Sequence, residues 1–272
     1  KFVSYGNATT LDESDIIEYL GNDKETKVIC VYLEAIKDGK KFINVTKKVS
    51  KNKPIIAIKG GMTEEGNKAT LSHTGSLAGN AQVYLGAFKQ AGIIHAESLH
   101  DMLNYASIFE KSIKPKGNKV QVITNGGGYG IISTDSISLN KHLKMAELSK
   151  ETYKELKKLM PALVTISNPM DLVGDATTER YKLALDYCIN DNNINIILLI
   201  ALYQTPLVTT DLVDVITEVN DLKKKPIIVV STGGEFTEIL SEALEKNGVV
   251  TFNFPEEAVK SIGALVEYYN KK

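Results

Sequence analysis

The sequence is almost without arginine: among its 32 lysines and arginines, only Arg180 is an arginine. A phosphate or other strong anion bound here must therefore meet backbone N–H groups, helix dipoles, lysine or histidine rather than a guanidinium fork. Cysteine is nearly as scarce. Cys30 and Cys188 lie in apolar or helical contexts with no spacing partner. That excludes a disulfide scaffold and a cysteine metal cluster, and it reads as two buried thiols in a reducing, cytoplasmic compartment. The formal net charge is only −1, so no general attraction draws the chain to nucleic acid or an anionic membrane. Long hydrophobic runs are missing too. "INIILLIAL" at 194–202 falls well short of the ~20 residues a bilayer-spanning helix needs. No charged-then-apolar leader opens the chain.

What is present is ordinary globular composition, 43% hydrophobic and 24% charged. At 272 residues the chain can bury two cores of normal size. Short β-rich apolar runs recur at 27–33 ("KVICVYL"), 54–60 ("PIIAIKG"), 92–97 ("GIIHAE"), 119–125 ("KVQVITN"), 196–202, 226–232 ("PIIVVST") and 249–254 ("VVTFNF"). Stretches at 12–20, 80–91, 98–111, 131–140, 150–160, 177–190, 209–223, 235–246 and 256–270 predict helices between them. Apolar runs that are continuous rather than alternating predict strands covered on both faces, hence parallel α/β sheets.

The pattern also repeats. "KPIIAIKGG" (53–61) is echoed by "KPIIVVSTGG" (225–234), each followed by a helix, a Gly-led strand and an acidic helix start. Two related three-layer units in tandem are expected, divided at the Lys-, Pro- and Gly-rich "KSIKPKGN" (111–118). The expected domains are 1–112 and 119–272. The second holds five strand–helix units. The first has about four strands, counting a strand-like "KFVSYGN" at its start, and lacks an opening strand with the Gly-rich turn where such sheets usually bind ligands.

Three stretches carry candidate chemistry. In "KATLSHTGSLAGN" (68–80), His73 follows a buried strand and precedes a helix expected to begin near Ser76. At a helix N-terminus the dipole favours a neutral, nucleophilic imidazole, and the N–H groups around Thr74, Gly75 and Ser76 would stabilise a phosphoryl group. The plainer alternative is a ring that bonds only to nearby backbone, and spacing alone leaves both open. "TNGGGYG" (124–130) is a strand-to-helix turn in which Asn125, Gly126, Gly127 and Gly128 bring N–H groups up to an anion. It lacks the Lys-Ser/Thr of a P-loop and the dinucleotide spacing, and a simple tight turn remains the alternative. Glu34 ends a strand, where a carboxylate faces the ligand crevice and can orient an imidazole, or is merely solvated. "SNPMDLVGDAT" (167–177) reads first as a capping loop, with Asp171 and Asp175 as caps or ligands. His95, His100 and His142 read as structural, and no metal-ligand set is visible.

In order and spacing, "YLEAIKDGKKF", "KPIIAIKGGMTEEGNKATLSHTGSLAGN", "VITNGGGYGIISTD", "NPMDLVGDATTERY" and "TFNFPEEAVKSI" resemble the α part of ADP-forming acyl-CoA synthetases, relatives of succinyl-CoA synthetase. The resemblance covers essentially the whole chain. It implies two tandem flavodoxin-like domains with parallel sheets, the first lacking its opening strand. It implies reversible conversion of acyl-CoA, ADP and phosphate to acid, CoA and ATP through a phosphohistidine at the position of His73. Glu34 matches the carboxylate that bonds this histidine, Asn125 to Gly128 match a phosphoryl-facing helix start, and Asn168 and Asp171 lie near the acyl-phosphate site. Mg²⁺ with ADP or ATP would sit on a partner ATP-grasp domain, and CoA on an N-terminal domain, with no cofactor intrinsic to this chain. Both those domains are absent from the sequence, as are the opening strand and the Gln-Ser-Gly-type loop of the histidine-bearing domain, 1–112. The chain is therefore expected to be a piece of a longer polypeptide, or one chain of an oligomeric synthetase, and inactive alone.

Two other functions compete. Similar domains fused to acetyltransferases sense small molecules, but a sensor has no need of both His73 and Glu34. A two-domain solute-binding protein would share paired α/β lobes, yet it is exported and usually crosses between lobes more than once.

Overall fold

The computed structural model of the chain describes residues 1–6, 8–74 and 80–270, with 71–74 as backbone only. It divides into two compact units, residues 1–110 and those from 111 onward.

Unit 1 runs α1 (Glu13–Asn22), β1 (Ile29–Leu33), α2 (Gly39–Val49), β2 (Ile55–Lys59), α3 (Glu64–Thr74), α4 (Ala81–Ala91), β3 (Ile94–His95) and α5 (Leu99–Lys111). The start of α1 is a reciprocal capping box. Asp12 accepts the Ser14 and Asp15 N–H groups at 2.9 and 3.1 Å, and Asp15 accepts the N–H of Asp12 at 3.1 Å. Asp38 caps α2 by accepting the Lys41 N–H at 3.0 Å. Lys41 then ties the two helices, with Nζ 2.9 Å from Asp12 and 2.6 Å from Asp15. Ile17, Phe42, Phe88 and the inner residues of β1 and β2 form the core.

The sheet is parallel, in the order β1-β2-β3, so β1 is an edge. The opening residues 1–6 form no strand, contrary to the strand-like reading of "KFVSYGN". An edge strand also exposes what a central one would bury: Cys30 on β1 is exposed, against expectation, while Cys188 is buried. Beside β1 runs a groove of about 1140 Å³, walled by residues 1–6 and 8 on one side and by 25–32 and 34 on another, with Met102, Ala106 and Glu110 of α5 contributing.

Unit 2 runs β4 (Lys119–Thr124), α6 (Gly127–Leu139), β5 (Lys144–Met145), α7 (Lys150–Leu159), β6 (Met170–Asp171), α8 (Thr178–Asn190), β7 (Ile196–Ile200), α9 (Leu212–Asp221), β8 (Ile227–Val230), α10 (Glu235–Lys246), β9 (Val250–Phe252) and α11 (Pro255–Asn270). Its six-stranded parallel sheet has the order β5-β4-β7-β8-β9, with β6 also on β4. All five residues of β7 and all four of β8 are buried, as strands covered on both faces require. Side chains of α7 to α10 pack into one large core, and α6 packs along α11.

β5 and β6 share one edge of β4. β5 pairs with its start at Lys119 and Val120, and β6 with its end at Ile123 and Thr124. The gap between them is filled by a side chain. Asn168 accepts the Val122 N–H at 2.9 Å and donates to the Val120 and Ala146 carbonyls at 2.7 and 3.0 Å. Its amide replaces the ladder bonds that no strand supplies there.

Candidate functional site

In unit 1 the polar residues gather at the carboxyl ends of β1 and β2. Glu34 follows β1 directly and is partly buried. Its Oε1 accepts the Tyr32 hydroxyl at 3.3 Å. The phenol is raised above its ordinary pKa, first by burial and then by the Glu34 charge. Gly60 makes this arrangement possible: a Cβ there would lie 2.7 Å from the Tyr32 hydroxyl. Lys59, the last residue of β2, is only 4% exposed. Its ammonium lies 4.6 Å from the centre of the Tyr84 ring and donates to the Gly60 carbonyl. Burial lowers its pKa, and the Glu34 carboxylate opposes that shift. Tyr84 in turn accepts the Ile36 N–H at 3.3 Å, which fixes the loop that begins at Glu34.

Lys59, Tyr32 and Tyr84 were not singled out from the sequence. The signal for Lys59 was a charged residue closing an otherwise apolar strand. Such a residue lies at the crevice end of a parallel sheet.

His73 lies in the last turn of α3, which corrects the expectation of a helix beginning near Ser76 with the histidine at its N-terminus. The next helix, α4, begins at Ala81, where Asn80 accepts the Gln82 N–H at 2.8 Å. The polar stretch after β2, which lies outside the predicted helices, is helical from Glu64, with Thr63 capping it by accepting the Gly66 N–H at 3.1 Å. His73 is therefore not at the N-terminus of its own helix. Thr74 ends α3, while Gly75 and Ser76 lie outside the described residues.

In unit 2, α6 begins at Gly127, inside the glycine run and ahead of the expected start at 131. Its cap residue is Gly126, and no side chain caps the helix. The Gly126 N–H bonds to Thr124 Oγ1 at 2.9 Å. The first turn, Gly127 to Tyr129, thus keeps N–H groups that no side chain satisfies. Asp171 stands beside it, for a Cβ on Gly127 would be 3.1 Å from Asp171 Oδ2. The other carboxylate oxygen accepts the Val173 N–H at 2.8 Å, holding Val173 at a positive φ of 62°.

Asn125 and Asn168 are otherwise engaged. The Asn168 amide is spent on β4 and on Ala146 just after β5. That of Asn125 bonds to Leu202 and Thr205. The single arginine, Arg180, donates to the Leu172 carbonyl and to Asp175, both at 2.7 Å, and so braces the 172–175 loop. Of the histidines read as structural, His95 packs against Phe88 with ring centres 6.0 Å apart. His142 lies 3.4 Å from Glu267. No three His, Cys, Asp or Glu among the described residues could together hold a metal ion, and none of the described helices is long and apolar enough to cross a membrane.

Two parallel-sheet units in tandem, each wrapped by helices, define the class of the chain as an α/β protein with paired flavodoxin-like units. A succinyl-CoA-ligase-like flavodoxin domain matches residues 1–109, and a Ligase-CoA domain matches residues 120–270. The chain belongs to this CoA-ligase family. It is 39% identical, over 98% of its length, to the α subunit of acetate–CoA ligase [ADP-forming] II of Pyrococcus furiosus, of which it covers 59%. It is also 39% identical, again over 98% of its length, to acetate–CoA ligase [ADP-forming] of Methanocaldococcus jannaschii, of which it covers 38%. Among solved structures, dinucleotide-forming acetyl-coenzyme A synthetase 1 of Ca. Korarchaeum cryptofilum, in complex with phosphate and ADP, superposes with a TM-score of 0.91 at 33% identity, over 98% of this chain and 58% of that one. The chain thus spans about three fifths or less of the relatives it matches.

Proposed function

We propose that the chain is the phosphoryl-relaying part of an ADP-forming acyl-CoA synthetase, acting on acetyl-CoA or a similar small acyl-CoA. The observation that carries this reading is a match along almost the whole chain to ADP-forming acetate–CoA ligases. The chemistry runs in three steps. An oxygen of inorganic phosphate attacks the thioester carbon, the C–S bond breaks, and CoA leaves as its thiol after taking a proton. A ring nitrogen of His73 attacks the phosphorus of the acyl phosphate, and the P–O bond to the acyl oxygen breaks, releasing the carboxylate. An oxygen of the ADP β-phosphate then takes the phosphoryl group as the P–N bond breaks.

In this reading Glu34 accepts the hydrogen bond of the other ring nitrogen and so fixes which nitrogen attacks. The unsatisfied N–H groups of the first turn of α6 receive a phosphoryl group, a role that suits a chain whose one arginine is committed elsewhere. ADP or ATP with Mg²⁺ belongs to an ATP-grasp domain and CoA to a further domain, on the same polypeptide or on partner chains. The two free cysteines suit a cytoplasmic setting.

The test is ATP formation from acetyl-CoA, ADP and phosphate by the complete synthetase. His73→Ala should assemble normally and make no ATP. An assembled His73→Ala enzyme working at the wild-type rate would refute the reading.

A further inference from the structure

An open parallel sheet usually holds its ligand where strand order reverses, in the crevice between the carboxyl ends of the two strands flanking that point. In unit 2 that place lies between β4 and β7. Here one side chain bridges the crevice. Asn125 is only 3% exposed. Its Nδ2 donates to the Leu202 carbonyl at 3.1 Å and to Thr205 Oγ1 at 2.9 Å, and its Oδ1 accepts the Leu202 N–H at 3.0 Å. Donor and acceptor are both used, 77 and 80 residues along the chain. Leu202 itself fills the space above the turn, since a Cβ on Gly126 would lie 2.5 Å from its Cδ1. Thr205 Oγ1 in addition donates to the Leu202 carbonyl at 2.9 Å, which tightens the loop against which the amide pulls. Beneath it, the Tyr181 hydroxyl donates to the Ile200 carbonyl at 2.8 Å.

We propose that Asn125 is a positioning residue: its amide welds the β4–α6 turn to the loop after β7, bridges the crevice, and fixes the aim of the uncapped first turn of α6. The side chain touches no reacting group. It acts through the orientation of the Gly127, Gly128 and Tyr129 N–H groups, which have no side-chain cap to hold them. This deepens the proposed function and rests on it, because the turn must bind a phosphoryl group for its aim to matter. Small angular errors in such donors are costly, since they stabilise charge only along the N–H direction.

The experiment compares wild type, Asn125→Ala and Thr205→Val in the complete synthetase. Melting temperature, kcat, KM for acetyl-CoA and ADP, and acid-labile phosphate on His73 after rapid mixing are followed together. Asn125→Ala should lower kcat about tenfold or more with both KM values nearly unchanged. Thr205→Val, which removes one of the three bonds, should fall between it and wild type. If Asn125→Ala does not assemble, Thr205→Val alone decides: a fall in kcat supports the inference, and unchanged kcat overturns it. Unchanged kcat with only a lower melting temperature overturns it, as does a rise in KM at constant kcat, which would make Asn125 a ligand instead. Failure of the underlying reading is distinguishable, for then wild type itself carries no phosphate on His73.

Discussion

Lys53 and Lys225 do the same work in the two units. Each precedes the proline ahead of a strand, and each lays its ammonium on the carbonyl end of an earlier helix. Lys53 Nζ donates to the Leu20 carbonyl at 2.9 Å and to that of Asp23, and Lys225 Nζ to the Cys188 carbonyl at 2.9 Å and to that of Asp191. A cation there adds a charged donor to carbonyls at the helix end and offsets its dipole. The strands then lead to α4 and α10, and each helix passes to the next strand through a left-handed glycine, Gly92 with φ 71° and Gly248 with φ 73°.

The copies part in one place. In unit 2, α10 starts at Glu235, directly after Gly233 and Gly234. In unit 1, α3 and the residues around it, 62–80, stand between Gly61 and α4. His73 lies within that insertion. A shared frame thus carries an unshared segment, and the proposed chemistry sits on the segment, as function on a common fold generally does.

The sharpest way to break this comparison is at the residue that would serve the inserted histidine. Glu34→Gln keeps the shape of the strand end but loses the charge, and should slow phosphorylation of His73 roughly a hundredfold in rapid-mixing assays. An unchanged rate would separate the strand end from the insertion. Next come the paired lysines. Lys225→Met and Lys53→Met should each cost about 1–3 kcal/mol in urea unfolding, because each removes a charged donor from two carbonyls. A cost at one site and none at the other would reduce the echo to sequence likeness.

Two carboxyls, one in each unit, should also answer pH in opposite senses. Burial raises the carboxyl of Glu13, and its Oε1 has no hydrogen-bond partner among the described residues. The folded state therefore keeps that proton at pH values where the unfolded chain has lost it. The stability involved is full below the unfolded-state pKa and is lost as pH rises through the raised one. For Asp191 burial also opposes the charge, but the N–H groups of Ser149 at 2.8 Å and Asn193 at 2.9 Å outweigh it and lower the pKa. Its contribution is present above the unfolded-state pKa and is lost as pH falls through the lowered value. In the unfolding profile of the 272-residue chain, Glu13→Gln should remove a loss of stability as pH rises above the ordinary glutamate range, and Asp191→Asn a loss as pH falls below the ordinary aspartate range. The reverse assignment would contradict the account. The smallest effect expected is for Gly60→Ala, about 1 kcal/mol or less in urea unfolding, since the Tyr32 phenol can swing away from an added methyl.

Much of this frame was legible because it is local. The apolar runs, the Lys-Pro strand starts and the Gly-led strands give β2, β3, β8 and β9 directly, and Glu34 could be placed at a strand end from its neighbours alone. What escaped was short or polar. α2 is rich in lysine and β-branched residues and follows a turn-like Asp-Gly, so only its burial of Phe42, Thr46 and Val49 identifies it. β5 and β6, with two residues each, are too brief for periodicity. The first turn of α6 is made of glycines, which have poor intrinsic helix propensity. The roles of Asn125 and Asn168 were out of reach for a different reason. Their amides bond to residues far along the chain, 77 and 48 positions away for two of the bonds, and no local pattern encodes such partners.

The most direct test of the account is a map of phosphohistidine across the whole chain in the assembled synthetase during turnover, read by mass spectrometry under alkaline conditions. The prediction is an acid-labile phosphoryl group at His73 in the inserted segment, and none at His95, His100 or His142. Phosphate at any of those three, or turnover with His73 never phosphorylated, would contradict it.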